Sequence, residues 1–218
     1  GVDVDSENSL IKNGWTWEDF LTVCDQVRKS DKWKNSDRTL LDGYLNWEAV
    51  FNPIIMSCGG GYYDENNTVV IDNEGTRAAL NLMKDLIDKK ISSKFTGLQA
   101  IFQGGEGIFM FHSQAASIQV RNLQGVYGSG FKASDYNVVT FPIIDEENPM
   151  VGCGVSGYCV SSTITDQARR DIAWQFLKFM LSKEGQNIIA DCGTNYPPIR
   201  RDMADPKNPE NHWGIGYE

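Results

Sequence analysis

Asp166-Gln167-Ala168-Arg169-Arg170-Asp171-Ile172-Ala173-Trp174-Gln175-Phe176-Leu177-Lys178-Phe179-Met180-Leu181, followed at once by Ser182-Lys183-Glu184-Gly185-Gln186, is the most decisive stretch of this sequence. Asp166 is placed to cap a helix that runs to Leu181, and Ser182 to cap a second one to about Ala190, which Cys192-Gly193 ends. The apolar residues of the first helix are not confined to one stripe. Ile172, Ala173, Trp174, Phe176, Leu177, Phe179, Met180 and Leu181 cover more than one face, which predicts a helix buried from several sides, with a neighbouring element beyond these residues.

Upstream, Thr16-Trp17-Glu18-Asp19 opens a helix to about Lys29, with acids at the positive end of its dipole. Residues 30–46 read as polar and irregular. A helix from near Trp47 to Cys58 is stopped by Gly59-Gly60-Gly61. Tyr62 to Ile71 reads as a turn and short strand with Asp64-Glu65-Asn66-Asn67 at its tip. Asn73 caps a helix from Glu74 to about Lys90, apolar along Ala79, Leu80, Met83, Leu86 and Ile87. A short helix is expected at Leu98–Gln103, a strand at Gly107–Phe111, a helix at Ser113–Leu123 and a loop at Gly125–Ser134. Asn137–Phe141 and Val155–Thr163 read as strands, and the tail after Asn195 as irregular.

Composition bounds the function. The 218 residues are 41% hydrophobic and 22% charged, with a net charge of −9. That balance lacks the clustered cations needed to displace counterions from nucleic acid, and it disfavours an anionic membrane surface. Aromatic residues make up 11%, and several stand beside turn residues, where a ring face can stack on a sugar; core packing is the plainer use of each. Five cysteines without a C-x-x-C pair and two distant histidines supply no metal site, so no metal or other cofactor is expected. The thiols read as free; a Cys153–Cys159 bridge is disfavoured because both lie in one extended segment.

Motifs for catalysis fail on context. Gly152-Cys153-Gly154-Val155-Ser156-Gly157 fits a dinucleotide-binding string, but strand composition follows it where a helix is required. Ser156 is not a nucleophile elbow, because its strand follows the serine. Glu48 and Glu106 are unremarkable as a glycosidase pair. No catalytic residue is assigned. Asn66-Asn67-Thr68 is read as a turn.

Four stretches, in order, resemble a known family: Gly14-Trp15-Thr16-Trp17-Glu18-Asp19-Phe20; Gly59-Gly60 with Val69-Val70-Ile71-Asp72-Asn73-Glu74-Gly75; Phe102-Gln103-Gly104-Gly105-Glu106-Gly107-Ile108-Phe109-Met110; and Ala173-Trp174-Gln175-Phe176-Leu177-Lys178-Phe179 with Ser182-Lys183-Glu184-Gly185-Gln186. They resemble the family 1 extracellular solute-binding proteins of ABC sugar importers, which are maltose-binding-protein-like. The resemblance implies an α/β, type II periplasmic-binding-protein-like fold, mainly its C-terminal lobe, with the first segment of the N-terminal lobe absent. Residues 1–150 would form the C-terminal lobe, 151–190 the crossover strand and helices returning to the N-terminal lobe, and 191–218 the return and tail.

The implied function is the extracytoplasmic binding component of an ABC transporter, taking a sugar or oligosaccharide to permease subunits as a monomer. It would sit on the outer face of the membrane as a lipoprotein, or in the periplasm, with its export signal outside this chain. A non-sugar ligand such as a polyol phosphate, or a carbohydrate-active enzyme, are the alternatives. By the resemblance, ligand contacts fall to Trp47 as the stacking ring, Glu48 and Asn46 as hydroxyl partners, and Ser113 and Gln114 where the family often has an aromatic. Gly154, Ser156 and Gly157 follow in a glycine-rich cleft segment, and Asn195 and Tyr196 at a further edge.

Overall fold

A computed structural model describes residues 9, 11, 14–43, 45–93, 107–111, 139–152, 157–192, 198–205 and 207–214. The expected helices at Leu98–Gln103 and Ser113–Leu123, and the loop at Gly125–Ser134, lie outside them. The chain divides into two compact units: Gly1–His112 with Gln124–Cys153, and Ser113–Leu123 with Gly154–Glu218.

The first unit contains α1 (Trp17–Lys29), β1 (Leu41–Gly43), α2 (Glu48–Ser57), α3 (Glu74–Asp88) and β2 (Phe109–Phe111). The start of α1 is closed by a capping box, in which the Asp19 N–H donates to Thr16 Oγ1 at 3.1 Å and the Thr16 N–H donates to Asp19 Oδ2 at 2.9 Å. Asn73 caps α3 through the Thr76 N–H at 2.8 Å, and its Nδ2 donates to Val70 O at 2.6 Å, tying the helix to the preceding turn.

Residues 30–46 are not irregular throughout, as composition suggested. Leu41–Gly43 pairs in parallel with Phe109–Phe111, Leu41 opposite Phe109, and a bridge joins Leu41 to Ser92 on the other side. Tyr63 and Val69 form a single antiparallel bridge across the turn at 64–68, where Asp64 Oδ1 accepts the N–H groups of Asn66 and Thr68. Pairing at the 139–143 stretch lies later than the expected Asn137–Phe141 strand. Of that strand, residues 139–141 carry no ladder, and Ile143 bridges Thr16 instead, with the Trp17 N–H donating to Ile143 O at 2.9 Å.

Around this frame Trp15, Trp17, Phe20, Phe109, Phe111 and Phe141 interlock at centroid separations of 4.7–6.4 Å, Phe20 meeting Trp15 edge-on at 87°. Phe20, Leu40, Leu41, Leu45, Ile54, Met83 and Leu86 are fully buried. Trp15, Trp17 and Trp33 are therefore core residues and not sugar platforms. Arg28 staples the unit's edge, donating to Ser36 O, Arg38 O and Lys90 O at 3.0, 2.6 and 2.7 Å.

Glycines make the contact between α2 and α3. Gly59 takes φ +75°, open to glycine without strain. A Cβ on Gly75 would stand 2.3 Å from Gly59 C and Gly60 N, so the end of α2 and the start of α3 meet backbone to backbone.

In the second unit, α4 (Gln167–Met180) and α5 (Lys183–Asp191) follow the expected caps: Asp166 Oδ1 accepts the Arg169 N–H at 2.8 Å and Ser182 Oγ accepts the Gly185 N–H at 3.1 Å. The strand expected over Val155–Thr163 is not present at 157–163. Ser161 bends the chain there: its hydroxyl accepts the Thr163 N–H and its carbonyl the Ile164 N–H. The apolar faces of α4 are uncovered among the described residues of its unit, the covering neighbour being expected outside these residues. The helix has no buried residue, and Ile172, Trp174 and Phe176 are more than half exposed. The tail is more ordered than composition implied, with 3-10 turns at Arg201–Met203 and His212–Gly214. It is tied to α5 by Lys183–Glu210 (2.6 Å), Asn187 Nδ2 to Glu210 O (2.8 Å) and His212 Nδ1 to Asp191 (2.8 Å).

Candidate functional site

Four of the five described α-helices start on a capping side chain; α2 does not. Trp47 occupies its N-cap position at φ −85°, ψ 131°, and an indole has no oxygen to offer the first-turn N–H groups. The Glu48 and Ala49 N–H groups have no protein partner among the described residues. Trp47 is half-buried against the core and Asn46 and Glu48 are exposed, with the Glu48 carboxylate in the first turn as the charge that suits the positive end of the helix.

A second irregularity lies at the same end. Pro53 stands inside α2, and with no N–H it leaves the Ala49 carbonyl without its helical donor. Gly152 lies against that carbonyl: a Cβ there would be 1.8 Å from Ala49 O and 2.7 Å from Ala49 C. Only glycine fits so close a pass. The backbone at Val151 and Gly152, both exposed, thus runs beside the Asn46-Trp47-Glu48 corner.

The structure brings Asn46, Trp47 and Glu48 together at this open helix start. Gly157 is exposed in the second unit, beside Tyr158. Ser113, Gln114, Gly154, Ser156, Asn195 and Tyr196 lie outside the described residues. Reading the sequence missed Gly152, and it missed Asn52 and Tyr62, which meet through a hydrogen bond from Tyr62 Oη to Asn52 Oδ1 at 2.5 Å. The spacing of Glu48 and Asn52, one helical turn apart, and the proline after Asn52 were the available signals.

The arrangement can grip polar oxygens and a ring face. Among the described residues no group of histidine, cysteine or acidic side chains could hold a metal ion. The described cysteines Cys24, Cys58, Cys159 and Cys192 are free; Cys153 lies outside the described residues. Burial pushes the Cys24 thiol up to about 12, with Asp25 adding to it, and raises that of Cys58, where Asp145 contributes. Neither thiol is poised as a nucleophile. A separate groove of about 350 Å³ in the second unit is lined by Tyr158, Cys159, Val160, Arg170, Asp171, Trp174 and Leu177. No described helix is long and apolar enough to cross a membrane.

Gly152-Cys153-Gly154-Val155-Ser156-Gly157 leads into no strand over the residues described, and the next helix starts only at Gln167. The strand that argued against a dinucleotide site is gone, but the helix such a site requires directly after its glycines is missing as well.

A solved structure of T. maritima MalE3 with maltose bound is similar at a TM-score of 0.62 and 21% identity, covering 90% of this chain and 51% of that one. This chain therefore spans about half the length of that protein, and the likeness establishes a type II periplasmic-binding-protein-like fold. Among curated proteins no relative matches. The model of the bacterial extracellular solute-binding proteins matches residues 5–216, and the chain belongs to that family.

Proposed function

We propose that this chain is the sugar-binding part of an extracytoplasmic receptor that delivers a sugar or oligosaccharide to the permease of an ABC importer, without chemical turnover. The observation that carries the reading is the open start of α2, where a half-buried indole, an exposed carboxylate and backbone N–H groups without a partner among the described residues adjoin a glycine backbone. Sugar recognition needs those elements: a ring face for C–H stacking and fixed donors and acceptors for hydroxyls. Family membership supports a binding role, and the similar protein is one crystallised with maltose. In this reading Trp47 stacks and Glu48 and Asn46 take hydroxyls, while Ser113, Gln114, Gly154, Ser156, Gly157, Asn195 and Tyr196 are further candidate ligand contacts carried over from the family resemblance. The receptor works outside the cytoplasm, as a lipoprotein or in the periplasm, as a monomer.

Calorimetry with a panel of oligosaccharides tests it. Trp47→Ala is expected to cost about 1–3 kcal/mol of binding, the scale of an aromatic anchor. Chromatography of the same mixtures should show the sugars unchanged. Hydrolysis that disappears in Glu48→Gln would replace the receptor with an enzyme.

A further inference from the structure

The sugar site implied by Trp47 and Glu48 has a floor that continues down α2. With 3.6 residues per turn, Asn52 lies about 40° round from Glu48 and about 6 Å further along the axis, so the two share one strip of the helix. Phe51 stands about 60° to one side of Glu48 and Ala49 about 100° to the other. Phe51 and Trp47 are half-buried against the core, and Ala49 is the residue covered by the Gly152 backbone. The strip thus runs between an aromatic wall and a backbone wall, with Glu48 exposed and Asn52 half-buried on its floor.

The amide of Asn52 is held for use. Tyr62, itself half-buried and packed on the core, donates its Oη hydrogen to Asn52 Oδ1 at 2.5 Å. That fixes which way the carboxamide faces, and its Nδ2 has no protein partner among the described residues. A half-buried amide whose oxygen is engaged and whose two N–H donors are unused suits a ligand rich in acceptor oxygens. Glu48 accepts from hydroxyls and Asn52 donates to them, so the pair can fix both the position and the direction of a hydroxyl pair along one sugar unit.

Resting on the sugar-binding reading above, we infer that Asn52 is a specificity-determining contact of the site and that Tyr62 is its positioning residue. The full chain, labelled with 15N, is titrated with maltose and separately with cellobiose. The side-chain amide signals of Asn52, identified by their absence in Asn52→Leu, are expected to shift together with the Trp47 indole N–H. Asn52→Leu should weaken binding at least tenfold with an unchanged melting temperature. Tyr62→Phe, which keeps the ring, should weaken it a fewfold and narrow the discrimination between the two disaccharides. A moving Trp47 signal with a still Asn52 amide and unchanged Asn52→Leu affinity would overturn the inference and leave the receptor reading standing. If neither these disaccharides nor any member of the oligosaccharide panel moves Trp47, the reading itself falls and takes the inference with it.

Discussion

Phe20 on α1 has no exposed surface, whereas Phe176 on α4 is 60% exposed. Both sit in helices with well-made caps, so local sequence served each equally. The difference is in partners. α1 buries Trp17, Phe20, Val23 and Cys24, with Trp17 meeting the ring of Phe111, Phe20 those of Phe109 and Phe111, and the Trp17 N–H reaching Ile143 O. α4 shows apolar side chains on several faces, and among the described residues its unit supplies α5 and a tail held largely by polar links. Apolar content thus states what a helix can bury, while the contacts within its unit decide what it does bury.

The contrast is most sharply tested with thiol reagents. Cys24 is fully buried in the first unit and Cys192 is exposed in the second. Under native conditions Cys24 should label at least about a thousandfold more slowly than Cys192, since it reacts only through opening of the core. Comparable rates would mean that the first unit opens as readily as the second.

Truncation should separate the helices next. Phe20→Ala is expected to cost about 3–5 kcal/mol in urea unfolding, and Phe176→Ala no more than about 0.5 kcal/mol. A large loss at Phe176 would show that α4 is covered in solution.

Between helices the glycine clasp gives a smaller effect. Gly75→Ala forces a methyl into the backbone of Gly59 and Gly60 and should cost about 1–3 kcal/mol, while Gly61→Ala, with nothing within 4 Å of its Cβ, should be near neutral. Equal losses would mean that α2 and α3 can part without penalty.

The smallest effect concerns the tail of the second unit. Hydrogen bonds from Lys183 to Glu210 and from Arg200 to Asp202, with the attraction of those cations, hold both carboxyls below their usual range. A lowered folded value gives stabilisation that is present above the unfolded value and is lost as pH falls through the folded one. These exposed pairs should therefore weaken slightly as pH drops from about 4.5 towards 3. Amide protection factors at Asn211 and His212 measure it. Unchanged factors would assign the tail's order to buried Met203 and the Trp213 Nε1 bond to its carbonyl at 2.7 Å.

What was legible in the sequence follows the same divide. Thr16, Asn73, Asp166 and Ser182 announced their helices because a cap bonds within three residues of itself. Leu41–Gly43 was missed because its three residues become a strand only through partners at 91–92 and 109–111. The strand expected after Val155 failed where Ser161 and Thr163 satisfied the backbone locally. At the candidate site, Trp47 and Glu48 could be read from a helix start and the family resemblance. The contact of Gly152 with Ala49 could not, since it joins a proline-freed carbonyl to a glycine a hundred residues on, and no local pattern encodes that meeting.

The hydrogen bond from Trp15 Nε1 to Thr140 O, at 2.7 Å, spans 125 residues. On a ribosome adding about 5–20 residues per second, those two groups emerge roughly 6–25 s apart. Through that interval Trp15, Trp17 and Phe20 have been made but their covering segment has not. Closure of the first unit around those rings therefore waits on a segment made more than a hundred residues after them.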